Sequence, residues 1–466
     1  MPFATFPRRL FLFVGALLFW LSGAAARADL WVTGYYPGYE QSYLSPTNID
    51  FSALTHIIHF SLVPNADGTL DPSPNVITPK YSTNLVTMAH AAGKKVLISI
   101  GGGGGATEPG FLGATSAANL TTFVRNLTNF AAQYNYDGID IDWEPLPVGD
   151  FGQFTNFIIT LRAALDQFPQ RKLLTAAIGA YPNYGDPPAS TAQMIAGIQN
   201  KFDQINLMTY DLSGPWGGWV TWFNAPIYDG GYRFPSTGGL VPSTDGSITN
   251  FIGQGVAANK LAIGIAFYGY LWTGGAGTPT GGVTAPRQSW TTAPSVGQIS
   301  YNSLMSTYYQ SNLYFWDSAA QSAYLSINTG TDATDKFISY DDEYACQAKV
   351  SYARNKRLGG VMIWELAEAY RSTQPAGQRD PLLQAVKKAM ATPGKVVARQ
   401  SGADMRLQFN AAPLGLYKVQ WSSNAAPAAW NTLTNNVPGT NGPVQVLDPG
   451  AVNSQARRYY RVQTPP

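Results

Sequence analysis

The sequence predicts an α/β protein built as a (β/α)8 TIM barrel, and three observations carry that prediction. Between residues 30 and 365, eight short apolar runs alternate with amphipathic or polar stretches of helix length, the pattern of repeated βα units. Special side chains share parity within the runs: Gln204, Asn206, Met208 and Tyr210 in the sixth, Gly360, Met362 and Trp364 in the eighth. Each run therefore has one distinctive face, as a barrel interior requires. Finally, Glu144, Tyr210, Asp211 and Trp364 fall at the C-terminal ends of their runs, where this fold builds active sites.

The elements follow in order. Residues 1–28 carry Arg8 and Arg9, an apolar run over 10–21 and then Ala26-Arg27-Ala28, the layout of a secretory signal peptide cleaved before Asp29. Secretion, extracellular or periplasmic, is the expectation, with an uncleaved anchor as the alternative. No later run of about 18 apolar residues occurs, so no membrane span is expected after cleavage. Strands are predicted at 30–36, 54–62, 95–101, 138–144, 173–179, 204–210, 261–268 and 360–365. About ninety residues separate the last two, too many for one crossover helix. The stretch 270–330 holds Trp272, Trp290, Tyr301, Tyr308, Tyr309, Tyr314 and Trp316 and reads as a small α+β insertion beside the mouth. After Pro393-Gly394 the chain turns to short alternating runs such as Arg406-Leu407-Gln408-Phe409 and Tyr417-Lys418-Val419-Gln420-Trp421. That places a β-sandwich-like module at 393–466, after a barrel at 29–392.

Charged residues are 12% of the chain and aromatics 13%, against about a quarter charged in an ordinary domain. A weakly charged, ring-rich surface suits a neutral polymer. Formal net charge is +2 and becomes −1 once Arg8, Arg9 and Arg27 leave with the signal, which argues against a nucleic-acid partner. Residues 393–466 hold seven Lys/Arg and two Asp, a net +5, leaving −6 on the barrel portion. A basic module on an acidic domain suggests attachment to an anionic cell envelope; a passive appendage is the alternative. The single cysteine, Cys346, shares helical spacing with Val350 and Ala353 over 341–356, which favours a buried structural thiol. With one Cys and three His (His56, His59, His90) no metal-binding spacing exists, so neither metal nor cofactor is expected. His56 and His59 lie in a strand-like run and are expected to be packed.

The most informative stretch is Asp137-Gly138-Ile139-Asp140-Ile141-Asp142-Trp143-Glu144. In a strand, residues two apart share a face and rise by about 6.6 Å. Asp140, Asp142 and Glu144 would climb one face while Ile139, Ile141 and Trp143 cover the other. Neighbouring buried carboxylates oppose each other's ionisation and share protons, which fits acid catalysis better than stability. A calcium site would draw its oxygens from a flexible loop, whereas these acids alternate with Ile and Trp. A solvated strand face is the other alternative, and the apolar surroundings argue against it.

These motifs together identify a resemblance, over roughly residues 29–390, to family 18 glycoside hydrolases, the chitinases. Residues 137–144 match the family's DxxDxDxE signature, Ser99-Ile100-Gly101-Gly102 its SxGG strand, and Met208-Thr209-Tyr210-Asp211 its MxYD strand. Phe267-Tyr268-Gly269 and Val361-Met362-Ile363-Trp364 match its last two strands. The stretch 270–330 looks like the family's insertion domain. The resemblance implies a secreted enzyme cutting chitin or chitooligosaccharides by a retaining mechanism in which the substrate's acetamide is the nucleophile. It implies Glu144 as acid and then base, Asp142 orienting the acetamido N–H, Asp140 sharing a proton with Asp142, and Tyr210 bonding the acetamido oxygen. Asp211, Met208 and Tyr35 would shape the pocket, Trp364 would floor it, and Trp216 would serve the leaving-group side, with Trp219 and Trp222 as ordinary packing. The chain departs from the family at Gly103-Gly104-Gly105, where Trp often follows SxGG, at Pro145, where Tyr is frequent, and at Tyr270, where Arg is frequent. An endo-β-N-acetylglucosaminidase, a peptidoglycan hydrolase and a lectin-like protein on the same barrel are the rival functions. Lectin-like relatives typically lose the acid that this chain keeps as Glu144.

Overall fold

The computed structural model describes residues 30–104, 107–180, 189–390, 396–411, 416–424, 429–439, 442–454 and 457–463. The expected signal peptide lies outside them. Eight parallel strands form the frame: β1 (Trp31–Pro37), β2 (His56–Pro64), β3 (Lys95–Gly102), β4 (Gly138–Trp143), β5 (Leu173–Gly179), β6 (Gln204–Met208), β7 (Leu261–Ala266) and β8 (Gly360–Trp364). Each pairs with the next, and β8 pairs back onto β1 with Gly360 opposite Trp31, so the ring closes. The barrel follows the sequence expectation closely.

Alternation sorts the side chains into two cores. Ile139 and Ile141 of β4, with Ile57, Ile98, Leu174, Ile205, Ile263 and Val361, face outward against helices such as Leu120–Gln133 and Phe151–Leu165. Trp143 ends that outward row, stacked on Phe111 at 4.5 Å and 6° and edge-on to Phe154 at 6.1 Å. Truncating such a ring costs about 3–5 kcal/mol, so the outer face fixes which way β4 turns. The inward set is smaller and includes Tyr35, Ile58, Phe60, Leu97, Ala177, Tyr210 and Met362. Packing on the outside thus commits Asp140 and Asp142 to the inside.

The run read as one strand over 261–268 is two. β7 stops at Ala266, whose N–H donates to Asp341 Oδ2 (3.1 Å), while the Phe267 N–H turns to the Trp364 carbonyl (2.8 Å). The strand Tyr268–Thr273 then enters a separate antiparallel sheet ordered Ser295–Ser300, Tyr268–Thr273, Lys336–Tyr340, Ser322–Ile327, Tyr314–Asp317. With the helix Tyr301–Thr307 this is the expected α+β insertion, reaching Tyr340 and so past the expected end at 330. Beside it the helix Glu343–Asn355 buries Cys346 fully and sets the buried Lys349 ammonium against Asp341. His56 and His59 are buried as expected.

The C-terminal residues form two three-stranded antiparallel sheets. Leu407 and Phe409 from one meet Tyr417 and Val419 from the other in a shared core, which makes a small sandwich. Among the described residues, no helix is long and apolar enough to cross a membrane.

Candidate active site

The site begins with register. Asp140 lies directly opposite Ser99 on β3 and Thr175 on β5, so both hydroxyls reach it. Oδ2 accepts from Tyr35 (3.1 Å) and Ser99 (3.0 Å), and Oδ1 accepts from Thr175 (2.5 Å). Asn206 Nδ2 in turn donates to the Tyr35 oxygen (3.4 Å). Burial raises the Asp140 carboxyl to about 6, and these donors hold it from rising further. It is a fully enclosed anchor.

Asp142, one step higher and 2% exposed, is built differently. Burial raises its pKa well above the carboxylate range, and the Glu144 and Asp140 charges add to the effect. It shares a hydrogen bond with Glu144, while its Oδ1 has no hydrogen-bond partner. This corrects the expectation that Asp142 shares its proton with Asp140: the Asp140 oxygens are already taken by three hydroxyls, so Asp142 turns up toward Glu144. Glu144 follows immediately after β4 at the cavity wall. Burial raises its pKa, and the bond to Asp142 and the Gly103 N–H oppose that rise. One proton between two carboxyls is the arrangement an acid catalyst needs near neutral pH.

The glycines of Ser99-Ile100-Gly101-Gly102 have a steric reason. Gly101 sits at φ +111°, where a Cβ would fall 1.9 Å from the Asp142 carbonyl oxygen, and at Gly102 (φ +114°) it would fall 2.5 Å from the Phe60 ring. Any side chain there would push β3 off the ladder.

Above the ladder opens a cavity of about 480 Å³ lined by Asp142, Glu144, Asp211, Tyr35, Met208, Tyr210 and Trp364. Trp364 lines it, edge-on to Phe60 at 4.8 Å and tilted against Tyr35 at 5.4 Å. The Tyr210 hydroxyl points to Met362 Sδ at 3.8 Å, and its ring meets the edge of Tyr268 at 6.0 Å. Burial and the nearby carboxylates raise Tyr210, so it stays a protonated donor. Tyr210 lies past the end of β6, two residues beyond Met208, and its ring crosses β7 at Gly264, where a Cβ would sit 2.6 Å away.

Asp211 holds a left-handed φ of 57° with its N–H bonded to Asn224 Oδ1 (2.9 Å). Tyr268 donates to its Oδ1 at 2.6 Å, and the Tyr270 and Gln298 side chains bond it as well. Of the residues singled out from sequence, Asp140 and Trp216 do not line this cavity: Asp140 is fully buried, and Trp216 lies on an exposed loop, edge-on to Trp219 at 4.5 Å. Trp222 is fully buried, as expected. Tyr39, Phe60, Asn75 and Gln298 line the cavity and were not anticipated. Phe60 was detectable as the last ring of an apolar strand on the inward parity, whereas Gln298 arrives through the insertion and has no local signal.

A closed parallel barrel thus carries a buried carboxylate ladder at the wall of a cavity lined by aromatic rings. The family model for Glycosyl hydrolases family 18 matches residues 32–369, and the chain belongs to that family. It is 31% identical over 371 residues to Chitinase A1 of Niallia circulans, covering 74% of this chain and 48% of that protein. The chain therefore spans about half the length of that relative. Among solved structures, a family 18 N-acetylglucosaminidase from Paenibacillus barengoltzii superposes with TM-score 0.61 and 26% identity, over 78% of this chain and all (100%) of that one. A chitinase-like agglutinin from Robinia pseudoacacia does so with TM-score 0.61 and 27% identity, over 77% and 99%.

Proposed function

We propose that this chain is an exported chitinase that hydrolyses β-1,4 linkages of N-acetylglucosamine polymers and oligomers by substrate-assisted, retaining catalysis. One observation carries the reading: Asp142 is bonded to Glu144 and leaves Oδ1 without a hydrogen-bond partner, in a residue that lines a cavity together with Tyr210 and Trp364. A buried carboxylate oxygen without a donor is costly. A sugar's acetamido N–H supplies that donor.

With the sugar in place, Asp142 accepts the N–H and Tyr210 donates to the acetamide oxygen, holding the acetamide under the anomeric carbon. The acetamide oxygen then attacks C1, the C1–O4 bond breaks, and the Glu144 proton passes to the departing O4. The positive charge on the resulting oxazolinium ring lies beside Asp142, whose stabilisation grows as the charge develops. Water next attacks C1, the bond between C1 and the acetamide oxygen breaks, and Glu144 takes the water's proton, which restores the acetamide and the acid. The Asp140 charge adds to the upward shift of Asp142 and so favours a proton on the Asp142–Glu144 pair.

The leader at 1–28 supports export, and the +5 charge of 393–466 supports attachment to an anionic envelope. A sugar-binding protein without turnover is the second reading, favoured by the likeness to the agglutinin. Assaying purified protein on colloidal chitin, a high-mannose glycoprotein and peptidoglycan side by side separates the readings. Release of soluble oligomers from chitin alone is the expected result; binding without release, or preferential cutting of either other substrate, contradicts it.

A further inference from the structure

The cavity holds three carboxylates, Asp142, Glu144 and Asp211, and among its described lining residues there is no Lys, Arg or His. Asp142 and Glu144 are bonded to each other, whereas Asp211 is held from the insertion sheet by three neutral groups, Tyr268, Tyr270 and Gln298. Gln298 stands opposite Tyr270 in the antiparallel register, so the two side chains reach Asp211 from adjacent strands. The other ionisable groups that act on this corner are Glu144, Glu368 and the hydroxyls of Tyr210 and Tyr268, none of them cationic. A carboxylate held by neutral donors and surrounded by other acids has an uncompensated field, which an incoming ammonium would complete.

We propose that Asp211, positioned by Tyr270 and Gln298, is a specificity residue that accepts the ammonium of a glucosamine unit, so that the preferred substrate is partly N-deacetylated chitin. The unit whose linkage is cut keeps its acetyl group, because its acetamide is the nucleophile; the inference rests on that reading. The deacetylated unit is a neighbour of the cut. Sugars carrying a carboxylate are disfavoured at the same corner by like-charge repulsion.

The test is a digest of about half-acetylated chitosan with the full chain, with both new ends of each product sequenced by mass spectrometry. Glucosamine is expected at one fixed position beside the cut at about tenfold over its random frequency, the discrimination of one partly desolvated charge pair. Added salt lowers that enrichment. Tyr270→Arg, which places a cation against Asp211, and Asp211→Asn each bring it to random. Gln298→Leu, which removes one of the groups holding Asp211, lowers it. A random glucosamine distribution around the cut in an enzyme that still cleaves fully acetylated hexamer overturns this proposal alone. Failure to cleave that hexamer overturns the functional reading beneath it. Enrichment that survives both Tyr270→Arg and Asp211→Asn assigns the preference to another group and also overturns the proposal.

Discussion

Asp341 and Asp142 are each 2% exposed within one barrel, yet their surroundings are opposite. Asp341 faces the fully buried Lys349 ammonium and accepts the Ala266 N–H. Asp142 faces the carboxyls of Glu144 and Asp140 and the hydroxyls of Tyr35 and Tyr210, none of them cationic, and keeps one oxygen without a hydrogen-bond partner. The first pair clamps the helix Glu343–Asn355 to the point where the chain leaves the barrel for the insertion, and it is complete in itself. The second is incomplete until a ligand arrives. A buried charge with its counter-ion marks a joint; a buried charge denied one marks a site.

The sharpest way to break this contrast is to exchange charge for amide at the acid. Glu144→Gln should fold normally and lose about 10²- to 10⁴-fold in turnover of an unactivated chitin oligomer, the usual worth of a positioned general acid. Near-normal turnover would remove Glu144 from the chemistry.

At the joint the effect should be on stability instead. Lys349→Met strands Asp341 without its cation and should cost about 3–5 kcal/mol in urea unfolding. Below the new midpoint, kcat/KM should stay near the wild-type value. Lost activity in a fully folded variant would show that the pair reaches the site.

Asp142→Asn keeps the shape and removes the negative charge facing the developing cation. The expected loss is about 10²- to 10³-fold in kcat, with stability held or raised, because a buried carboxyl under like-charge pressure is relieved. A stability loss matching that of Lys349→Met would erase the distinction between joint and site.

Acidification should separate the two groups more gently. Asp140 and Asp342 have folded values of about 6, raised by burial, so their stabilisation is complete below the unfolded carboxylate range and lost as pH rises through about 6. Asp50, Asp137 and Asp317 are shifted down, and their contribution is lost only as pH falls below the ordinary carboxylate range. His56 and His59 work the other way: burial holds them down at about 4 and about 3, so their contribution is lost as pH falls below the ordinary imidazole range. Removing one raised carboxyl isolates its sign: Asp342→Asn should lessen the loss of melting temperature between about pH 5 and about pH 8, and an unchanged difference would contradict the raised value.

The smallest effect concerns the tail. Every residue assigned to chemistry precedes Glu365, so removing 393–466 should change hydrolysis of short soluble oligomers by less than about twofold. Retention on anionic envelopes should fall, and moderate salt should mimic the deletion. A truncated chain that cannot fold would make the tail structural.

How much of this was legible in the sequence differs between the two regions. The ladder was readable because its signal is local: a period of two over residues 137–144 fixes both faces of β4 at once. Its bonding was less so, since the partners of Asp140 come from β1, β3 and β5, and only that convergence shows Asp142 turned to Glu144. The joint was invisible. Asp341 and Lys349 are eight positions apart, but nothing local says that Ala266, seventy-five positions earlier, needs that carboxylate. For the same reason residues 261–268 read as one apolar strand: the run contains no turn residue where the chain passes from barrel to insertion. Tyr270 and Gln298 reach the mouth only through that passage.

The most direct test of the central claim is titration of the enzyme with a thiazoline analogue of the bicyclic intermediate, beside the parent disaccharide. If Asp142 waits for an acetamide, the thiazoline should bind at least about 10²-fold more tightly, as transition-state mimics do, and Asp142→Asn should abolish the difference. Equal binding of the two ligands by an enzyme that still cleaves chitin would show that the acetamide is not the nucleophile.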